Sequence, residues 1–563
     1  MTSCKSAPRI ITILVWVSIL AVACSSPLPS AQFTRILDVA PVTEPGYWFG
    51  VCWVDYDNDQ LPDLFLTQWW STGTHYNALY HNDGDGAFSK ITDQAPSQGA
   101  NSLGATWGDY DNDGDEDAFV TRPGIPTGDP LNYLYRNDGS GTFTAITTGP
   151  VVTDRGRSVH PVWGDLDNDG DLDLIVGNHN LTGGLFYYRN DGGNFVRLSN
   201  TSTGLDTDDC GAVNLADTDG DGDLDFLHAR NMLTSRFYVN QGTGIFAHAS
   251  NAISTDNTRA YACGDYDNDG DLDLCGGEDW SQGLILYRNS GGGVFERVII
   301  DPSDVTSDIS RKPYWVDYDN DGNLDLFVAK QGAMYAPAKS ALYRNVGDGS
   351  LSKVSGSGLE VDALSSSGSA WADYDRDGDL DLFVANTNNT LNALYRNDNG
   401  SGNNWINIKC IGTVGNRSAI GAKIRVKATI GGTETWQLRE ISSQSGFFGQ
   451  DEMRAHFGLG TAAVIDSIIV EWPGQSAKDV LVDVAVCQFL TIVQTAWGDA
   501  NGDAAVNISD AVYLIAYIFA GGAAPSPLLS GDANCDRAIN ISDAVYLIAY
   551  IFSHGPAPSE SCG

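Results

Sequence analysis

Aspartate occupies positions 1, 3, 5 and 9 of a nine-residue segment seven times along the chain. The first three sets are Asp55, Asp57, Asp59 and Asp63; Asp109, Asp111, Asp113 and Asp117; and Asp165, Asp167, Asp169 and Asp173. Asp217, Asp219, Asp221 and Asp225 follow, then Asp265, Asp267, Asp269 and Asp273. The last two are Asp317, Asp319, Asp321 and Asp325, and Asp373, Asp375, Asp377 and Asp381. Alternate residues of a tight loop face one side, so these carboxylates converge on a point. Hard oxygen donors in that number suit Ca²⁺, whereas Zn²⁺ would call for His or Cys. Position 6 is Gly in six copies, which fits a left-handed backbone there, and Gln60 in the first copy breaks that rule. Leu61 at position 7 has no ligand atom in its side chain, so the backbone carbonyl is expected to serve at that position. The alternative is a solvated acidic turn without metal. Clustered carboxylates repel one another without a cation, so about seven Ca²⁺ are expected here.

The elements that position these loops repeat with them, every 48 to 56 residues. An apolar strand precedes each loop and another follows. A hairpin signal such as LYRNDG comes next, then Phe-x-x-Ile. Four short strands per repeat are the signature of a propeller blade, and seven repeats make seven blades. The seventh hairpin has no outer strand after it, and Phe33-Thr34-Arg35-Ile36 supplies the missing pattern at the other end of the chain. A closed ring leaves no open sheet edge there.

The strand after each loop ends on a polar residue at position 14: Gln68, Arg122, Asn178, Arg230, Glu278, Lys330 and Asn386. Trp69, Trp70 and Trp280 lie in the loops beyond, and together these residues are a candidate ligand face opposite the Asp loops. Strand ends that are simply polar where they meet water are the alternative. Two residues before each loop, and at loop position 11, the repeats carry two columns of large apolar residues. The fifth repeat has Cys263 and Cys275 there instead, and a disulfide is expected in place of the aromatic pair. With all seven loops in phase, residues 32–400 resemble the FG-GAP/VCBS repeats of integrin-type seven-bladed propellers. The resemblance implies calcium in the loop joining the two inner strands of each blade, in a structural role.

From residue 403 to 494 alternating segments replace the Asp loops. The motifs NNW, GNRSAIGAKIRV, SQSGFFGQ, HFGLG and VEWPG resemble the ASPIC/UnbV domain. His456 reads as a packed or surface histidine, and Cys410 and Cys487 could pair. Residues 496–563 hold two near copies offset by 33. Oxygen ligands fall at Asp499, Asn501, Asp503, Asn507 and Asp510, then at Asp532, Asn534, Asp536, Asn540 and Asp543, each set followed by a helix. This resembles a type I dockerin, departing from it at position 6, where Ala504 and Arg537 stand for Gly. The resemblance implies up to two Ca²⁺ and a cohesin-like partner bound through Ile508 and Ser509 or Ile541 and Ser542, in either of two symmetry-related modes. An intramolecular clamp is the alternative. Cys535 and Cys562 could form a terminal clasp.

Residues 1–23 read as an export signal, with Cys24 a possible lipid anchor, and no later run is long and apolar enough to span a membrane. The chain carries 72 acidic and 32 basic residues, a net charge of −40, which argues against nucleic acid as a partner. Of these acids, 39 are aspartates of the nine candidate metal loops. The expectation is a mainly β protein: a seven-bladed calcium-binding propeller, a small β domain and a small α-helical paired-loop module. Its expected function is recognition of an extracellular glycan or surface protein, docked to a larger assembly. An extracellular polysaccharide-acting lyase or glycosidase on a propeller scaffold is the alternative, although no paired carboxylates or His-based triad recur in one place.

Overall fold

The computed structural model describes residues 32–558 apart from 70–72, 125–130, 180–183, 232, 251–252, 254–255, 279–283, 301–309, 333–335, 348, 400, 476–477, 495–497, 503–505, 526–527, 535–537 and 554–557. Seven antiparallel sheets, each built from four strands of the repeat region, form the blades. The first blade runs Trp48–Val54, Asp63–Gln68, Ala78–Gly84 and Ala87–Ile91 from the axis outward. Its innermost strand is buried on both faces because neighbouring blades cover it, whereas its outermost strand buries only Phe88. The seventh blade joins Ser366–Ala372, Asp381–Asn386 and Ala393–Asn397 to Phe33–Ile36. Phe33 lies opposite Asn397 and Ile36 opposite Leu394, so the ring closes as the sequence pattern suggests.

Aromatic rings from the two apolar columns weld one blade to the next. Phe65 meets Trp107 at 5.5 Å, Phe119 meets Trp163 at 6.2 Å, and Phe327 meets Trp371 at 5.5 Å, all edge to face. Phe383 of the last blade meets Trp53 of the first at 6.2 Å in the same geometry. These contacts correct the expected Cys263–Cys275 disulfide. The columns touch across blades, not within one. Cys263 lies opposite Leu274, and Cys275 opposite Ala262, so the two side chains leave opposite faces of their sheet and both thiols are free. Cys410 and Cys487 are free as well. Their strands pair in parallel with Cys410 beside Ile492, while the Cys487 N–H bonds the Trp405 carbonyl further along. Cys535 and Cys562 lie outside the described residues.

The second domain pairs a three-stranded sheet (Asn404–Ile411, Ala455–Gly460 and Gln488–Val493) with a four-stranded one (Lys423–Ile430, Thr433–Glu440, Ile465–Glu471 and Lys478–Val484). Ile406, Ile424, Val426, Phe457 and Ile468 fill the space between them. The segment joining Glu440 to Ala455 enters the propeller along its axis. Within it Gly449–Gln450 adds a fifth, parallel strand to the inner edge of the first blade, with Val51 opposite Gly449.

At the C-terminus, helices Ile508–Ala520 and Ile541–Ser553 pack through Ala511, Leu514, Ala544 and Leu547. Asn507 caps the first helix in a reciprocal box with Asp510. A matching apolar stripe stays exposed on each: Ile508, Val512, Ile515 and Phe519, and Ile541, Val545, Ile548 and Phe552. Among the described residues no helix is long and apolar enough to cross a membrane, which says nothing of a β-barrel.

Candidate metal centres beneath the second domain

Each Asp loop links the innermost strand of a blade to the next strand out, which puts all seven on one face of the disc. Position 1 folds the loop: in the second blade the Asp109 carboxylate accepts from the N–H groups of Asp113 and Gly114 at 3.0 and 2.7 Å. Gly at position 6 adopts φ near +95° to +103°, as in Gly114 and Gly170, and Gln60 takes φ +75° in the first copy. Position 4 is left-handed too, at Asn58, Asn112, Asn168, Asn268, Asn320 and Arg376. The Asn112 amide then reaches the next blade, donating to the Asp171 carboxylate at 2.9 Å and the Gly170 carbonyl at 3.2 Å.

The position-9 carboxylate is fully buried in all seven blades. Burial, reinforced by neighbouring aspartates, pushes Asp63 up to about 9, Asp117 to about 10 and Asp273 to about 9. At position 1, Asp109 is raised to about 8 and Asp165 to about 7 for the same reasons. In five loops one position-3 oxygen (of Asp111, Asp167, Asp267, Asp319 and Asp375) is buried without a hydrogen-bond partner. Ligand oxygens of Asp109, Asp111 and Asp117, of Asp165, Asp167 and Asp169, and of Asp217, Asp219 and Asp221 lie within 4.8 Å of one another. Converging, desolvated and orphaned carboxylate oxygens fit a hard divalent cation, and Ca²⁺ is the ion this donor set suits best.

An asparagine on the third strand of every blade supports this arrangement, and it is legible in the sequence only as part of a hairpin. Its N–H donates to the position-9 carboxylate, as Asn137 does to Asp117 at 2.7 Å, and its amide donates to the position-2 carbonyl of the preceding blade, Tyr56 in that case at 2.7 Å. The closing pair obeys the same rule: Asn82 bonds Asp63 at 2.7 Å and the Tyr374 carbonyl at 2.8 Å.

The second domain sits on this loop face. Lys423 Nζ lies 2.6 Å from Asp217, Lys409 Nζ 3.5 Å and Arg454 3.7 Å from Asp55, and the Gly458 N–H bonds Asp317 at 3.1 Å. His456 is buried and meets the Asn320 amide oxygen at 2.6 Å, consistent with a packed rather than a catalytic histidine. Inside the channel, side chains of the second domain satisfy the inner strand edges. Ser443 Oγ accepts from the Trp163 N–H at 3.0 Å and donates to its carbonyl at 2.8 Å. The Trp371 N–H donates to Asp451 at 2.6 Å. Phe447 and Phe448 pack among the inner strands, Phe448 lying 5.3 Å from His160 and 6.5 Å from Phe49. This plug has no repeat or apolar period, so the sequence marks it only as the motif SQSGFFGQ and not as an axial segment.

The opposite face differs from a ring of open polar groups. Asn178 and Asn386 are buried, with their amides donating to the turn carbonyls of Gly184 and Leu391 at 3.0 and 2.9 Å. Arg122 donates to the Leu131 carbonyl and stacks 4.8 Å from the Tyr133 ring, Arg230 pairs with Asp208, and Lys330 is buried. Gln68 meets His75 at 3.0 Å. Trp69 packs edge to face on Phe49 at 5.6 Å, which ties it to the plug. Trp70, Trp280 and the Glu278 side chain lie outside the described residues.

In the C-terminal module the Asp510 carboxylate accepts from the N–H groups of Asn501 and Asn507 at 3.1 and 2.8 Å, and Asp543 repeats this with Asn534 and Asn540 at 3.2 and 2.8 Å. Asp499 receives the Gly502 N–H at 2.8 Å. Asp503 and Asp536 lie outside the described residues. The Ser509 and Ser542 hydroxyls bond the Asn501 and Asn534 amides at 2.8 Å, whereas Ile508 and Ile541 are exposed.

Three families match the chain in order. The FG-GAP-like repeat matches residues 55–120, 125–176, 265–328 and 317–384, which include every Asp loop except that of the fourth blade. The ASPIC and UnbV family matches 412–497, and the dockerin type I domain matches 497–552. Cartilage acidic protein 1 of Mus musculus is 30% identical over 196 residues and that of Homo sapiens 29%; each match covers 34% of this chain and 29% of the relative's own length. Among solved structures, an Agrocybe aegerita lectin studied for recognition of non-reducing terminal N-acetylglucosamine aligns at 18% identity and TM-score 0.38, over 55% of this chain and 79% of that one. BBS1N in complex with ARL6DN aligns at 11% and 0.41, over 65% and 98%. The matched families mark an extracellular repeat protein with a docking module, and dockerin type I domains bind calcium and engage cohesin modules.

Proposed function

We propose that a chain joining FG-GAP-like repeats, an ASPIC and UnbV segment and a dockerin type I domain works as a calcium-braced recognition scaffold tethered to a larger extracellular assembly. The observation that carries this reading is the set of buried, converging loop carboxylates whose position-3 oxygens lack partners in five blades. Bound Ca²⁺ supplies charge neutralisation and fixed oxygen geometry there. The chain's own residues do the rest. Positions 1, 3, 5 and 9 hold the ion, the third-strand asparagines lock each loop to its neighbour, and the second domain clamps the loop face. The axial channel, where a propeller enzyme would gather its catalytic groups, holds Ser443, Phe447, Phe448 and Gln450 instead, which favours binding by the outer loops over catalysis on the axis.

The ligand of those loops is an extracellular glycan or surface protein, and the partner of the C-terminal module is a cohesin-like domain. Titration of the full chain with a cohesin domain, in Ca²⁺ and again in EDTA, tests the tether, with binding expected only in Ca²⁺. A glycan array probed with the full chain in Ca²⁺ tests recognition. Polysaccharide cleavage by the purified chain would overturn the scaffold reading.

A further inference from the structure

The first blade differs from the others in its loop and on its third strand. Gln60 replaces Gly at position 6. Asp55 at position 1 already faces two cations of the second domain, Lys409 at 3.5 Å and Arg454 at 3.7 Å. His81 stands where five other blades carry Arg136, Arg189, Arg288, Arg344 and Arg396, one residue before the bridging asparagine. Four of those arginines pair with acids of the outer hairpin, as Arg136 does with Asp138 at 2.6 Å and Arg288 with Glu296 at 2.9 Å, whereas Arg344 reaches Asp319 at 2.9 Å and Asp321 at 3.0 Å in its own loop. The shorter imidazole turns inward. Its Nδ1 lies 3.3 Å from Asp57 Oδ2 and 3.2 Å from Asp63 Oδ1, yet it is buried and makes a well-aligned hydrogen bond to neither. One nitrogen and two carboxylate oxygens thus face a common point, all within 4.8 Å of one another. On the far side of the ring Nε2 points toward Asp83 Oδ1 at 3.9 Å, and Tyr56 packs edge to face at 6.3 Å.

We propose that Asp57, Asp63 and His81 form a site for a borderline divalent transition ion of the zinc type, distinct in metal preference from the calcium loops of the other blades. This extends the reading of the loops as metal sites. The donor set decides the ion. Ca²⁺ takes six to eight oxygens and rarely an imidazole, whereas Zn²⁺ readily takes one nitrogen and two carboxylates and leaves a fourth position open. Asp83, 3.9 Å behind the ring, is the nearest carboxylate that could favour a proton on Nε2 and leave Nδ1 as the ligand. With the Asp55 charge held by Lys409 and Arg454, the centre of attraction in this loop moves to the Asp57–Asp63 side.

The test uses the full chain, stripped with EDTA, saturated with Ca²⁺, exposed to Zn²⁺ and dialysed against Ca²⁺ before elemental analysis. The wild type is expected to retain about one Zn²⁺ and His81→Arg close to none, with the Ca²⁺ of the other loops the same in both, so that total Ca²⁺ differs by about one at most. Because five blades carry Arg at this register, His81→Arg should keep the fold, and a thermal midpoint in Ca²⁺ near that of the wild type checks this. Co²⁺ in place of Zn²⁺ should give a visible absorption band in the wild type only. No Zn²⁺ retention, which is what an imidazolium paired with two carboxylates would give, overturns the proposal, as does equal retention by His81→Arg. Loss of Ca²⁺ binding alone would count against the calcium loops and not against this site, since the two elements are counted separately.

Discussion

Gln450 Oε1 accepts from the Trp107 N–H at 2.8 Å, and its Nε2 donates to the Trp107 carbonyl at 3.1 Å, so one side chain pairs with the inner edge of the second blade as a strand would. Both residues are fully buried. Gln450→Ala leaves two buried backbone groups without partners and should cost about 2–4 kcal/mol. Denaturant unfolding of the full chain checks the figure. A change within about 0.5 kcal/mol would show that water replaces the amide at no penalty.

Removing calcium should lower the thermal midpoint of the propeller substantially. A site saturated a thousandfold above its Kd contributes about 4 kcal/mol, and several sites share one cooperative ring. Scanning calorimetry with and without EDTA reads the shift, and an unchanged midpoint would refute metal in these loops.

His160 gives the axis a pH dependence. Burial lowers it from the ordinary 6.5 to about 3, and its Nε2 accepts the Phe448 N–H at 3.3 Å. With the folded value below the unfolded one, the unfolded chain takes up the proton first. The neutral ring is therefore fully compatible with the fold above about pH 6.5, and stability falls from there toward pH 3 by about 1.4 kcal/mol per unit for this group. His160→Gln should flatten that part of the calcium-loaded stability profile; an unaltered slope would remove His160 as its source.

The exposed stripes of the C-terminal helices are near copies, with Ile508 and Ile541 at matching places. Ile508→Asp or Ile541→Asp alone should leave cohesin binding within about twofold, because the other half can dock, while the double variant loses it. Calorimetric titration distinguishes this from a single-face mode, in which one substitution alone abolishes binding.

The blades and their closure were legible because the Asp loop marks the same point of every sheet, so its period counts the blades and Phe33 through Ile36 reveal the missing strand. Cysteine pairing was not. A frame drawn within one repeat cannot tell whether the columns of Trp107 and Phe119 meet inside a blade or across two, and Phe65 against Trp107 gives the answer only in three dimensions. The polar residues at the second-strand ends left two readings open for a related reason. Asn178 and Asn386 look free in sequence, but short amides beside a turn find its carbonyls first. The segment SQSGFFGQ carries neither helical nor strand periodicity, because its Ser and Gln side chains act on strand edges one at a time. The role of His81 shows only when its register is compared with Arg136 and its fellows.

The strand that closes the ring is the first part of the propeller to be made. Thr34 bonds Asp398, 364 residues further along. At about 5–20 residues per second, that partner emerges tens of seconds to about a minute after the strand that waits for it. Through that interval the strand from Phe33 to Ile36 is unpaired, and the growing set of blades stands in an open arc. The axial segment around Gln450 comes later still, so the channel it fills exists before its occupant does. Assembly of this propeller is therefore paced by contacts that span most of the chain, and a nascent chain halted between the sixth and seventh blades should be the species most in need of protection.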